Sequence, residues 1–468
     1  MPGEQRHVFV QTFGCQMNVY DTERIYQVLR PLSYTPTDDP TRADLILLNT
    51  CSVRDKAEHK MLSALGRFHR LKEYNDELLL GVGGCVATQE GERLLAKVPY
   101  LDLVFGTDNI GELPALLSSV RQGDGRRSHT KFANRRSYEW VPLEPQDGER
   151  QVTAMLTVMK GCNKFCSFCI VPFTRGREVS KPAELVVEEA RRLAEGGVRE
   201  VMLLGQNVNS YGLDREGEAR FPELLARVAA VPGIERVRFT TSHPVDCTDE
   251  LIAAFDGRIP ELCEYFHLPV QSGSDTMLRK MRRGYSIDDY RDRLRRLREA
   301  RPGIALSTDI IVGFPGETEE QHQATLDLLR EVRFDAIYSF KYSERPGTSA
   351  SRLTDNVPEE LKSERLAQVQ ALQDAITRDR MVAYEGTVAE VLVEGPSRHA
   401  RVMPGLGAQL MGRTRTNIVV NFSTPISALA AKGWGADSGV AGLVGSVVNV
   451  HVTRALPHSL AGELAPLH

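Results

Sequence analysis

Between residues 7 and 120, short apolar runs alternate with longer stretches whose apolar positions recur at helical spacing. Strands are predicted at 7–10, 45–48 and 78–80, and helix-like segments at 21–29, 55–73 and 89–96. This order predicts an α/β fold, here an N-terminal doubly wound parallel sheet over residues 5–121. Residues 122–147, rich in Arg, Gly, Ser and Pro, predict a linker. A second series begins near Val152, with strands at 152–158, 200–204, 236–240, 265–270, 305–312 and 335–341. Helices are predicted between them at 183–195, 222–230, 249–255, 288–300 and 319–332. Helices of that length serve as crossovers between parallel strands. The six units therefore predict a partial (β/α)6 barrel over 148–378, closed by a helix at 359–380, with its site at the carboxyl ends of the strands. Short β-rich runs separated by Gly and Pro, within 381–455, predict a small β-barrel.

A length of 468 residues suits about three domains, in agreement with the pattern. The apolar fraction of 41% and charged fraction of 26% are ordinary for a soluble protein, and no run reaches the roughly 18 apolar residues of a membrane span. The first residues lead into a strand without a basic and then apolar leader, so a cytoplasmic protein with no membrane association is expected. In a reducing compartment the eight cysteines are expected as metal ligands, catalytic thiols or buried small hydrophobes and not as disulfides. The net charge of −4 means that any nucleic-acid contact needs a local basic patch.

The candidate chemistry sits at strand ends. After the first barrel strand, Cys162, Cys166 and Cys169 stand in CxxxCxxC spacing. Structural zinc takes four protein ligands, and no fourth cysteine or nearby histidine completes this set. A 4Fe-4S cluster on three ligands keeps one iron open for a substrate. A zinc knot or three buried thiols is the alternative. Cys15, Cys51 and Cys85 each end a predicted strand of the first sheet, the edge where doubly wound sheets build their sites. Adjacent strands lie about 5 Å apart, so these thiolates can converge on one soft-metal cluster; coincidence or a redox dithiol is the other reading. Cys247 and Cys263 have no partner spacing and read as structural. Between Gly395 and Ala436 the basic residues Arg398, Arg401, Arg413, Arg415 and Lys432 occur with no Asp or Glu, which suits a phosphate backbone. A second concentration, Arg279, Lys280, Arg282, Arg283 and the run from Arg291 to Arg301, is interleaved with Asp288, Asp289, Asp292 and Glu299 and reads in part as a solvated face.

With Phe168 before the third cysteine, the motif resembles that of the radical S-adenosylmethionine (SAM) superfamily. The resemblance implies a 4Fe-4S cluster on Cys162, Cys166 and Cys169. Its open iron would take the amino and carboxylate groups of SAM, and one electron would release a 5′-deoxyadenosyl radical. SAM contacts are implied at later strand ends: Gln206 and Asn207 after the second, Ser242 after the third, Gln271 after the fourth, and Ile311 and Gly313 after the fifth. The stretch from Gly316 is equally a helix start, with Thr318 and Gln321 as a capping box, and His243 and His267 read as structural hydrogen-bonders. The chemistry belongs to the cluster and SAM, so no side chain is expected as acid, base or nucleophile.

Along its whole length the chain resembles the methylthiotransferases of that superfamily. The matching residues are Thr12 to Asn18, Asn49 to Arg54, Gly84 to Ala87, Cys169 to Glu178 and Gly205 to Tyr211. Gly412 to Asn417 resembles the TRAM module, an OB-like nucleic-acid-binding barrel. Phe173 stands where the family often has Tyr and Ile418 where a basic residue is common, and residues 427–442 look like a loop enlargement. The resemblance implies a second 4Fe-4S cluster, on Cys15, Cys51 and Cys85, that carries sulfur. It further implies two molecules of SAM and addition of a methylthio group to carbon 2 of N(6)-(dimethylallyl)adenosine next to the anticodon of tRNA. The C–H bond at that carbon is not acidic enough for base chemistry, which gives a radical route its physical motive. Expected partners are the tRNA anticodon stem-loop and a small flavodoxin- or ferredoxin-type redox donor, with the enzyme a monomer. One rival modifies an aspartate of a ribosomal protein, against which stand residues 174–178 and the acid-free barrel stretch. Another is an iron-sulfur RNA-binding or electron-transfer protein with no thiolation activity.

Overall fold

The computed structural model describes residues 5–52, 56–135, 138, 140, 151–397, 406–425 and 442–465. Six parallel strands form the N-terminal sheet: β1 (Arg6–Thr12), β2 (Tyr34–Pro36), β3 (Leu45–Thr50), β4 (Leu79–Gly84), β5 (Leu103–Phe105) and β6 (Arg127–His129), in the spatial order β2-β1-β3-β4-β5-β6. Ile46 and Leu48 of β3 enter one apolar cluster with Met61, Leu65 and Phe68, while Leu45 and Leu47 enter another with Ile25, Leu29 and Leu117. This period of two places helices on both sheet faces, the doubly wound arrangement.

Three details depart from the sequence pattern. β6 lies inside the stretch expected as linker; a three-residue edge strand pairs on one side only, and Arg-Ser-His has no apolar alternation to announce it. The first helix, Gln16–Leu29, begins directly after Cys15 and not at residue 21. Its first turn is held by polar tertiary bonds, Asn18 donating to Asn49 Oδ1 (3.1 Å) and to the Thr50 carbonyl (2.9 Å), which apolar periodicity does not register. The helix expected at 89–96 is two short ones, Cys85–Glu90 and Glu92–Lys97, broken at Gly91.

In the core, β7 (Thr153–Thr157) leads into a short antiparallel pair, β8 (Met159–Lys160) with β9 (Val179–Ser180). Then follow β10 (Glu200–Leu204), β11 (Arg236–Phe239), β12 (Tyr265–His267), β13 (Ala305–Val312) and β14 (Ala336–Lys341). Parallel pairing runs β7-β10-β11 and β12-β13-β14, and a bridge between Val237 and Leu262 joins the halves into an open six-stranded barrel. Leu156, Val201 and Leu203 face the outer helices, whereas Met155, Met202 and Leu204, out of phase by one residue, pack with Cys15, Met17 and Tyr20 of the first domain. The first helix thus docks against the inner side of the barrel, with Thr157 Oγ1 3.8 Å from Met17 Sδ.

Helix Glu359–Val382 hands the chain to a closed five-stranded barrel. Its strands are β15 (Val388–Pro396), β16 (Leu406–Thr414), β17 (Val419–Pro425), β18 (Val447–Ala455) and β19 (Ser459–Leu464), in the order β15-β16-β17-β19-β18. β19 lies past the boundary expected at 455. Its Ala461 and Gly462 weaken the strand signal, yet it closes the barrel by pairing with both β17 and β18. Arg398, Arg401 and Lys432, residues 136, 137, 139 and 141–147 of the expected linker, and 427–441 of the expected loop enlargement lie outside the described residues.

Candidate iron-sulfur and SAM site

The β8/β9 pair closes the neck of the loop that carries Cys162, Cys166 and Cys169. Gly161 has φ +76, and a Cβ there would stand 2.0 Å from the Arg177 carbonyl oxygen, so only glycine lets the two sides of the neck cross. None of the three cysteines is in a disulfide. Burial pushes the Cys162 and Cys169 thiols up to about 12. Such thiols stay protonated at neutral pH unless a metal takes them, because coordination deprotonates a thiol outright. Cys162 and Cys169 receive backbone N–H groups, from Lys164 and Val171. Cys166 is different. Arg283 Nη1 donates to its Sγ at 3.3 Å, and His243 Nε2 lies 3.9 Å away. His243 Nδ1 accepts the Val245 N–H (3.3 Å), which leaves the ring proton on Nε2, facing the sulfur. Burial, then the Arg283 charge, lower the His243 pKa to about 2, so the ring is neutral.

Beside this loop three expected SAM contacts come together with unused polar atoms. Gln206 accepts the Gly161 N–H through Oε1 and leaves Nε2 buried without a partner. Asn207 donates to Asp246 Oδ2 (2.7 Å) and leaves Oδ1 unpartnered; Ser242 Oγ is likewise buried and unpartnered. Buried polar atoms are ordinarily satisfied, so one donor, one acceptor and one hydroxyl left open at strand ends fit an ammonium and a carboxylate. Gln271, at φ +80, bridges to β13 by donating to the Asp309 carbonyl (2.8 Å) and accepting from Ile311 N–H (2.9 Å). Gly313 stands apart. Its N–H bonds to Glu317 Oε2 (2.6 Å) and Lys362 fills the space a Cβ would take, which accounts for the glycine without a ligand.

The other three cysteines meet at the edge of the N-terminal sheet. Gly14, at φ +122, lets Cys51 approach: a Cβ there would stand 2.2 Å from Cys51 Cβ. The Cys15 thiol donates to Asn18 Oδ1 (3.3 Å), and its pKa falls to about 6, first through its hydrogen bond with Cys51 and then through the Arg175 charge, against the opposing effect of burial. Burial raises Cys85, with Arg175 countering it. Arg175 itself comes from the core, six residues after Cys169, and binds Asp21 Oδ2 at 2.6 Å with both side chains buried. Thr107 Oγ1 also donates to the Thr174 carbonyl (3.0 Å). Among the described residues, no three His, Cys, Asp or Glu side chains converge as ligands of one ion. Two sets of three cysteines with no fourth protein ligand among the described residues suit 4Fe-4S clusters, for which cysteine is the usual ligand, better than structural zinc, which takes four. Arg175 also lines a narrow cleft with Tyr20, Arg24, Asp108, Tyr138, Trp140 and Lys160.

Residues 7–106 match the Uncharacterized protein family UPF0004, residues 156–329 the Radical SAM superfamily, and residues 382–465 the TRAM domain. Over 465 residues the chain is 49% identical to a tRNA-2-methylthio-N(6)-dimethylallyladenosine synthase of Geobacter metallireducens, covering 99% of each chain. A protein of the same name from Myxococcus xanthus is 50% identical over 465 residues, covering 99% of this chain and 95% of that one. The chain belongs to the tRNA-2-methylthio-N(6)-dimethylallyladenosine synthase family. In fold, the radical SAM methyltransferase TsrM of Kitasatospora setae is similar, with a TM-score of 0.55 at 15% identity, over 74% of this chain and 77% of that one.

In this member of the synthase family, sequence reasoning missed Arg175, Arg283 and His243 as partners of the cysteines. Arg283 was grouped with a basic surface, yet it is only 5% exposed. The buried Arg175 and Arg283 need partners, a signal visible only once neighbours in space are known. Two arginines expected on a phosphate backbone are spent inside the protein. Arg415 binds both oxygens of Glu264 (Nε to Oε2 2.8 Å) and the carbonyls of Pro260 and Leu262, and Arg413 pairs with Glu394 (3.0 Å). The carbonyls of residues 413, 414 and 415 in turn accept from Arg236 and Arg238. The two described arginines of the acid-free stretch are thus met by acids outside it. Along the fourth barrel helix Arg291, Arg295, Arg296 and Arg301 all pair with carboxylates, whereas Arg279, Lys280 and Arg282 are exposed and have no carboxylate partner among the described residues.

Proposed function

We propose that the protein adds a methylthio group to carbon 2 of N(6)-(dimethylallyl)adenosine next to the anticodon of tRNA, using two 4Fe-4S clusters and two molecules of SAM. The observation that carries this reading is the meeting of two three-cysteine sets, from different domains, around one interface bridged by Arg175, in a chain that matches its relatives end to end. Residues 5–121 with β6 form the sulfur-carrying domain, with Cys15, Cys51 and Cys85 as ligands. Residues 148–378 form the radical domain, with Cys162, Cys166 and Cys169 as ligands, and 381–464 the RNA-binding domain. Gln206, Asn207 and Ser242 take the amino and carboxylate groups of SAM, with Gln271 and Ile311 on its adenosyl side; Gly313 is the weakest of these assignments because its N–H is already bonded. When bound, the clusters and SAM supply the one-electron chemistry that an unactivated aromatic C–H bond requires.

The chain's own residues hold these positions. The Gly161 N–H fixes Gln206, Asp246 fixes Asn207 and is itself bound by Lys164 (2.7 Å), and the Arg175–Asp21 pair sets the approach of the two domains. Arg279, Lys280 and Arg282 take tRNA phosphates, leaving the base to be unstacked toward the interface. A flavodoxin- or ferredoxin-type donor supplies electrons to a cytoplasmic monomer. Nucleoside mass spectrometry of tRNA from a deletion strain tests the activity: the methylthio group disappears, and unchanged modification overturns the reading. Anaerobic reconstitution should load about eight irons per chain; about four would remove the second cluster.

A further inference from the structure

Arg283 is a buried cation that hydrogen-bonds through all three of its guanidinium nitrogens, with no carboxylate among the acceptors. Nη2 donates to the Pro269 carbonyl (2.7 Å), Nε to Tyr285 Oη (3.2 Å) and Nη1 to Cys166 Sγ (3.3 Å). Tyr285 Oη passes its own proton to the Val270 carbonyl (2.7 Å), so it cannot serve as the counter-ion. Among the described residues the one group bonded to Arg283 that becomes anionic on taking up metal is the Cys166 sulfur, since coordination deprotonates a thiol. Burying an arginine without an anion is strongly unfavourable, and proteins seldom leave one so placed. Lys164, the cation inside the loop between Cys162 and Cys166, is by contrast met by a carboxylate, Asp246.

From this geometry we propose that Arg283 is the fixed counter-charge of the cluster held by Cys162, Cys166 and Cys169, delivered through Cys166, and that with the His243 Nε2–H it makes Cys166 the most strongly hydrogen-bonded of the three thiolates. A cation and an N–H aimed at one ligand sulfur stabilise the more negative, reduced cluster, so their effect is to raise its reduction potential and ease electron entry. The arginine is a positioning residue that touches a ligand and not the substrate. The inference rests on the reading of these three cysteines as cluster ligands. The two fail differently: without ligands the wild type shows no SAM-sensitive paramagnetic signal, whereas without the counter-charge role the signal is present and its potential indifferent to Arg283.

The test uses the full chain, reconstituted anaerobically, with Arg283→Gln and Arg283→Lys variants. Redox titration followed by electron paramagnetic resonance identifies this centre as the one whose signal changes on adding SAM. Its midpoint is expected to move to more negative potential in Arg283→Gln and much less in Arg283→Lys, while the other centre stays where it is. An unmoved midpoint at full iron content, or equal shifts of both centres, overturns the proposal. If Arg283→Gln takes up little iron, Arg283→Lys decides the matter: iron content and midpoint close to wild type support the counter-charge, and a loss of iron equal to that in Arg283→Gln rejects it, because the charge alone has then not restored the centre.

Discussion

The reassignment of Arg415 from RNA contact to interdomain tie has a measurable consequence. Its guanidinium makes two bonds to Glu264 and two to backbone carbonyls of residues 260 and 262, and Glu264 is only 12% exposed. Removing one partner of a fully buried pair costs about 3–5 kcal/mol, but both side chains here are only partly buried and Glu264 keeps Arg301, so about 1–2 kcal/mol is expected for Arg415→Met. That loss should appear as faster hydrogen exchange at 260–264 and 413–417, with the centres of both domains unchanged. The decisive assay is the salt dependence of tRNA binding. Each lost phosphate contact lowers the slope of log K against log salt by about 0.7–0.9. Arg415→Met should leave that slope where it is, while replacing Arg279, Lys280 and Arg282 together by Gln should lower it by about 2–3. A drop of nearly one for Arg415→Met refutes the intramolecular role. Glu264→Gln adds a control of opposite sign: it weakens docking if Arg415 is a tie, and strengthens RNA binding if Arg415 is an RNA contact that Glu264 competes for.

Three further outcomes follow from particular contacts. Arg175→Met leaves Asp21 buried without its cation and should cost about 3–5 kcal/mol in denaturant unfolding; pairing it with Asp21→Asn should recover part of this, with a coupling above about 1 kcal/mol between the two sites. Gly161→Ala forces a side chain into a positive-φ site 2.0 Å from a carbonyl oxygen, at about 1–3 kcal/mol of backbone strain before the clash, and should halve the reconstituted iron while circular dichroism stays the same. Glu23 has its pKa raised to about 7, by burial first and by Glu189 second. The folded state therefore holds this proton more tightly than the unfolded chain does, and stability falls as pH rises through the interval from the ordinary glutamate value to about 7. Glu23→Gln should match wild type near pH 4 and melt higher at pH 8, by about 2 kcal/mol once partial solvent screening is allowed for; equal stability at both pH values counts against it.

What was legible along the chain tracks how local the governing interaction is. A buried strand announces itself through its own apolar residues, so strand ends, and with them all six candidate ligand cysteines, could be placed from short windows around Cys15, Cys51, Cys85 and Cys162. The CxxxCxxC loop is local in the same sense. β6 and β19 were harder: one is an edge with nothing to bury, the other carries Ala461 and Gly462 where closure, and not side-chain packing, requires a strand. Charge was the least legible property, because a charge is answered through space. The window from 395 to 436 holds no acid, yet Arg413 is met by Glu394 immediately outside it and Arg415 by Glu264, 151 residues away. Arg283 lay in a basic run and looked solvated; the carbonyl of Pro269 and the sulfur of Cys166 fix it inside. The same rule explains both errors. An arginine beside an acid can still face RNA, and one without a local acid can still be buried, so only the partner in space separates them. Arg415, whose partner is Glu264 of the core, ties the small barrel to it, and Arg283, whose partner is the Cys166 sulfur, is placed to serve the cluster proposed there.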